Sequence, residues 1–228
     1  MANRVGRSGA SAREMADGRR KQINILLLVV LGVAVVYFLL LGTHLGIVGL
    51  LVLIFTFKIV MDHLTDVIKI HRKRERNALR GAEGEDRVAE IMESLPDGFH
   101  VYHDVDTGRG DIDHVLISPE GGVFVVETKA HGGRVTFERG QMLINGRRPE
   151  KDFIVQALRN TYWVRDEIKR QTGKEVWVHV ALVFANAFVD EHGPIRSVQV
   201  MNRKYLGAFI DRNRPRQIDS GLAQQVSF

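Results

Sequence analysis

The chain contains no cysteine. Disulfides, thiolate metal sites and thiol nucleophiles are thereby excluded. A second absence is local. From Ile23 to Phe57 there is no Asp, Glu, Lys or Arg, and only Asn24, Thr43 and His44 are notably polar. As one helix this stretch would run to roughly 50 Å, well beyond a ~30 Å hydrocarbon core. Two spans fit better, Ile23–Leu41 and Leu45 to about Met61, with one long tilted span as the rival. No Ala-x-Ala cleavage site lies near Gly42, and the apolar run is longer than the core of a signal peptide.

Charge is the next clue. The formal net charge is +5, which invites a nucleic-acid reading. Residues 1–21 carry six Lys/Arg against two acids, and residues 58–80 carry seven against three. Residues 81–228 hold 19 basic and 22 acidic side chains, a net of −3. The basicity therefore belongs to the flanks of the apolar stretch, where it bears on membrane topology. Basic residues on both sides of a two-span hairpin place both termini in the cytoplasm of a multi-pass protein of the cell (inner) membrane. The lipid bilayer is then one partner, with the basic residues of 62–80 against anionic headgroups.

Composition and periodicity divide the chain further. Residues 1–22 read as a disordered basic tail and 23–61 as a transmembrane helical hairpin. Residues 62–80 read as a basic juxtamembrane helix or linker, 81–211 as the folded domain and 212–228 as a polar, frayed tail. The domain opens with an amphipathic helix over 82–95, its apolar stripe being Val88, Ile91, Met92 and Leu95. Strands follow over 99–105, 112–118 and 123–129. A second hairpin is expected over 134–144, closed by Asn145-Gly146. Then come a helix over 152–171, a buried strand over 176–184, an edge strand over 198–201 and a short helix over 205–211. This order predicts an α/β class, a mixed sheet flanked by helices. No internal repeat is present.

The chemistry concentrates in Asp113 to Lys129. Two strand-like runs flank a Pro-Glu-Gly-Gly turn, so the segment is a predicted β-hairpin. Glu127 and Lys129 share a face because side chains alternate along a strand. An antiparallel partner brings Asp113 beside Glu127. Two carboxylates suit Mg²⁺, with Mn²⁺ as the alternative, because hard cations take oxygen ligands and Mg²⁺ keeps several waters. Lys129 suits the charge developing on a phosphoryl group. Glu-x-Lys on a strand is also ordinary solvated sheet chemistry. Glu85 lies at the edge of the first helix's buried stripe, and Gln156 and Asn160 on or near the inner face of the later one. His100, His103, His114 and His131 crowd the same region without a defensible ligand spacing.

These motifs together resemble a known family. Gly81-Ala-Glu-Gly-Glu85 opening a helix, Asp111-Ile-Asp113-His-Val-Leu-Ile, Gly122-Val-Phe-Val-Val-Glu127-Thr-Lys129 and a later helix with Gln156 are similar to the nuclease-related domain family, NERD. That family resembles the PD-(D/E)XK superfamily, of restriction-endonuclease-like fold. The resemblance covers roughly residues 81–190, with Ile112 where the superfamily name has proline. It implies that Asp113 and Glu127 are metal ligands and Lys129 the catalytic lysine. It further implies that Glu85 is the helix-borne acid and Gln156 an auxiliary site residue.

The expectation is a membrane-anchored, metal-dependent nuclease acting on nucleic acid, DNA before RNA, at the cytoplasmic face. Paired cutting would need a homo-oligomer. The alternative is a catalytically silent nuclease-like module serving as a membrane-tethered binding platform.

Overall fold

The computed structural model describes residues 2–5, 10–41, 47–190, 193–215 and 221–228. The chain divides into two compact units, Ala12–Leu79 and Met1–Ser11 with Arg80–Phe228.

The first unit is drawn from two helices, α1 (Ala10–Leu41) and α2 (Ile47–Glu93). Tyr37 and Phe57 stack with ring centroids 4.5 Å apart, and Arg19 Nη1 donates to the Arg74 carbonyl at 3.1 Å. A late residue of α1 meets an early one of α2, and the reverse, so the helices run antiparallel within this unit. Large apolar side chains, Leu28, Leu39 and Phe55 among them, stand exposed. Among the described residues one helix stretch, Arg13–Tyr37, is long and apolar enough to cross a membrane. This corrects the expectation of two spans. The second expected span begins outside the described residues, and α2 meets a charge at Lys58. From Ile47 to Phe57 the helix rises only about 16 Å, short of a ~30 Å core.

The second unit holds a seven-stranded mixed sheet. Its strands are β1 (Asn3–Val5), β2 (His100–Asp106), β3 (Asp111–Ile117), β4 (Val123–Glu138), β5 (Gln141–Ile144), β6 (Val178–Val189) and β7 (Val198–Asn202). The spatial order is β1-β2-β3-β4-β6-β7, with β5 paired to the far half of β4. The meander β2-β3-β4 is antiparallel; β1 joins β2, and β6 joins β4 and β7, in parallel.

Helices cover both faces. On one lies α3 (Phe153–Thr172), which buries Ala157, Val164 and Ile168 against Val115, Val125 and Leu182. Asp152 caps its start by accepting from the Ile154 and Val155 amides, and Gly173, left-handed at φ 73°, ends it. On the other face Val88 and Met92 of α2, with Leu206 and Ile210 of α4 (Leu206–Arg212), pack on Leu116, Val126 and Val183. Because both faces are covered, the start of β4, Val123 to Val126, and most of β6 read as nearly unbroken apolar runs rather than alternating ones.

Three local expectations are corrected. The stretch 1–22, read as a disordered tail, contains β1 and the start of α1; the Asn3 amide donates to the Phe99 carbonyl at 2.7 Å. The stretch 212–228, read as a frayed polar tail, contains α5 (Leu222–Gln225) and buries Leu222, Ala223 and Val226. Those three apolar side chains complete the core face that α3 leaves partly open, and Tyr102 Oη donates to the Val226 carbonyl at 3.1 Å. The second hairpin turns at Arg139-Gly140, not Asn145-Gly146. Both pairs have the two positive φ angles that a two-residue hairpin turn needs. Asn145-Gly146 instead makes a turn after β5, closed by Ile144 and Arg147.

Candidate functional site

β3 and β4 stay paired from Ile117↔Val123 to His114↔Val126 and then part. The next pair in register would be Asp113 and Glu127. Asp113 Oδ2 instead accepts the Thr128 main-chain N–H at 2.6 Å. A side-chain carboxylate thus stands where a ladder carbonyl would be, and it holds open the fork between the strands. The fork is kept on the far side too, where β4 shifts register against β6 between Lys129 and Gly132.

Glu127 is fully buried. A buried carboxylate is costly unless its lone pairs are satisfied. Gln156 Nε2 donates to its Oε2 at 3.0 Å and Asn160 Nδ2 to its Oε1, both from α3. Lys129 Nζ lies 3.5 Å from Oε2. The same ammonium sits 5.0 Å from the centre of the Phe153 ring, so a carboxylate and an aromatic face together fix its position.

Glu85 reaches the cluster because Gly84 lets α2 press on β4. A Cβ at Gly84 would stand 2.9 Å from that of Ala130, directly after Lys129. Burial first, then the nearby Asp104, pushes the Glu85 carboxyl up to about 7, against the pull of Lys129. Asp113 keeps some solvent exposure yet is ringed by protein. Burial, then the Glu127 and Glu85 charges, raise its carboxyl well above the usual range, with Lys129 opposing.

The structure therefore brings together Glu85, Asp113, Glu127, Lys129 and Gln156. It also gives Asn160, placed by the sequence on or near the inner face of α3 without a site role, a part in the cluster, and adds Asp104. Asn160 follows Gln156 by one helical turn, a spacing that puts both on one face. Asp104 was legible only through the register of β2 and β3. His103↔His114 and Val105↔Ile112 place it opposite Asp113, and it adopts φ 51° there. His103 and His114 meet Nδ1 to Nδ1 at 2.8 Å; His114 shares the opposite sheet face with Leu116 and Val126. Among the described residues no group of three His, Asp or Glu side chains is arranged to hold an ion. Asp113 and Glu127 still offer the oxygen donors a hard cation takes. The crowding of four acids around one ammonium is a charge imbalance that a divalent ion would relieve.

Residues 80–185 match the family model described as nuclease-related domain, NERD. No curated protein and no solved structure matches the chain.

Proposed function

We propose that the chain is a membrane-anchored, metal-dependent nuclease that hydrolyses phosphodiester bonds, DNA first, at the cytoplasmic face. The domain has a restriction-endonuclease-like fold on this reading. One observation carries it: within a nuclease-related domain, Asp113, Glu127 and Lys129 converge at the fork between β3 and β4. When bound there, Mg²⁺ would polarise a phosphoryl oxygen and make water more acidic. Asp113 and Glu127 would hold it. Thr128 N–H orients Asp113, while Gln156 and Asn160 orient Glu127. Lys129 neutralises charge that builds on the phosphoryl oxygens. Glu85, titrating at about 7, exchanges a proton at neutral pH.

The membrane reading rests on the apolar stretch Arg13–Tyr37 and its basic flanks. β1 is hydrogen-bonded into the same sheet as β2, so the N-terminus and the domain share one side of any membrane that α1 crosses.

A second reading, the silent binding module, draws on a specific observation. Both oxygens of Glu127 are already engaged by amides, as they would be in a purely structural carboxylate. Plasmid cleavage by the full chain in detergent, with Mg²⁺, Mn²⁺ or EDTA, separates the two. Metal-dependent cutting that disappears in Lys129→Ala supports the nuclease. A folded, metal-binding protein that cuts neither DNA nor RNA supports the silent module.

A further inference from the structure

A groove of about 1280 Å³ runs along the β7 edge of the sheet, bounded by α3, β6, β7 and α4. Four large rings line it while lying open to solvent: Trp177 is 73% exposed, Phe188 59%, Tyr205 53% and Tyr162 52%. Exposed aromatics on this scale are poor core material and are usually contact surfaces. Three of the rings already carry a cation. Arg165 lies 5.2 Å from the Tyr162 ring centre, Arg134 5.6 Å from Phe188 and Lys204 4.7 Å from Tyr205.

Charge singles the groove out within its domain. Residues 81–228 are net acidic, with 19 basic against 22 acidic side chains. The described residues lining the groove include Arg165, Arg196 and Arg212 against a single acid, Asp190; that acid is bound by Arg134 at 2.9 Å, and Arg165 is paired with the adjacent Asp166 at 2.8 Å. A concave, cationic surface with separated rings matches a strand whose phosphates repeat and whose bases have open faces. A convex apolar patch would match a flat membrane or a protein partner better. Trp177 directly precedes β6 and Phe188 stands near its end, a span of roughly 35 Å at strand rise.

We propose that this groove binds single-stranded nucleic acid, with bases stacked on Trp177, Phe188, Tyr162 and Tyr205 and phosphates met by Arg196 and Arg212. The proposal rests on the nuclease reading and narrows its substrate class. It also ties the groove to the site. Leu158, Thr161, Tyr162 and Arg165 of α3 face the groove, while Gln156 and Asn160 of the same helix hold Glu127. A strand in the groove would thus lie about one helix diameter, ~10 Å, from the acid–lysine cluster.

The test is fluorescence anisotropy of labelled oligo(dT) and oligo(rU) 20-mers with the full chain in detergent micelles, in EDTA so that nothing is cut. Both oligomers should bind, and duplex of equal length more weakly. Trp177→Ala and Phe188→Ala should each raise Kd about tenfold or more, with Trp177→Phe retaining binding. Arg196→Ala should reduce the slope of log K against log salt by about 0.7. No oligonucleotide binding, or binding unchanged in all three alanine variants, overturns the proposal. So does duplex binding as tight as single-strand binding. A doubled mass in solution that Phe188→Ala abolishes, without oligonucleotide binding, assigns the groove to a second copy and overturns it as well. Binding in EDTA is independent of cleavage. Intact groove binding beside absent metal-dependent cutting would therefore sink the nuclease reading alone.

Discussion

Asp113 and Thr128 are joined by a 2.6 Å hydrogen bond from the Thr128 amide to the Asp113 carboxylate, and this bond sits where two strands part. Its loss has a structural cost separate from any catalytic one. Asp113→Ala leaves a backbone donor without its partner, for about 1–3 kcal/mol. Asp113→Asn retains an acceptor. Thermal melts should show a lower Tm for the alanine variant than for the asparagine variant, while cleavage is lost in both. Equal melting of the two variants would show that the bond contributes nothing.

Glu127 depends on α3 in the same way. Asn160→Ala and Gln156→Ala each remove a donor from a fully buried carboxylate. Each should cost about 1–3 kcal/mol in chemical denaturation. The two effects should not add, because both donors serve one group. Additive losses would mean that the amides act independently of Glu127.

Glu85 makes stability depend on pH in a stated direction. Its carboxyl titrates at about 7 in the fold, against an ordinary value of 4.5. The folded state therefore resists ionisation, and this penalty grows as pH rises from about 4.5 through about 7. In EDTA, Glu85→Gln should melt with the wild type at pH 4. Above pH 7 it should melt higher, by an amount on the order of 1–3 kcal/mol. A gap that instead closes with rising pH would contradict the environment assigned to Glu85.

Leu222 is 1% exposed and belongs to the core face covered by α3. Leu222→Ala should destabilise by about 2–5 kcal/mol. A tail that frays would give almost no change.

Topology is open to direct labelling, because the chain has no cysteine of its own. Arg4→Cys and Glu138→Cys, both at exposed positions, should both resist an impermeant maleimide on intact cells and react after permeabilisation. Labelling of only one of them on intact cells would place the two ends of the apolar unit on opposite sides. It would break the link drawn from β1.

Much of the domain was legible in the sequence because its signals are short-range. The run Val123 to Val126 had to be a buried strand. Asp152 and Gly173 bracket α3 with ordinary capping chemistry, and the alternation at Glu127 and Lys129 put both on one face. The hairpin turn was misread because Arg139-Gly140 and Asn145-Gly146 adopt the same turn geometry, and Asn-Gly is the stronger local signal. Long-range pairing was not legible. Val226 reads as tail until Tyr102 Oη and the open core face claim it, and Asn3 reads as disordered until it adds a strand beside His100. The residue types of the site and their spacing were determined by the sequence alone. Tertiary structure decided that Asp104 and Asn160 join them, that Glu85 titrates near neutrality and that the exposed rings line one groove. Each of these depends on which distant segments exclude water together, and burial is a property of the assembled fold rather than of any stretch within it.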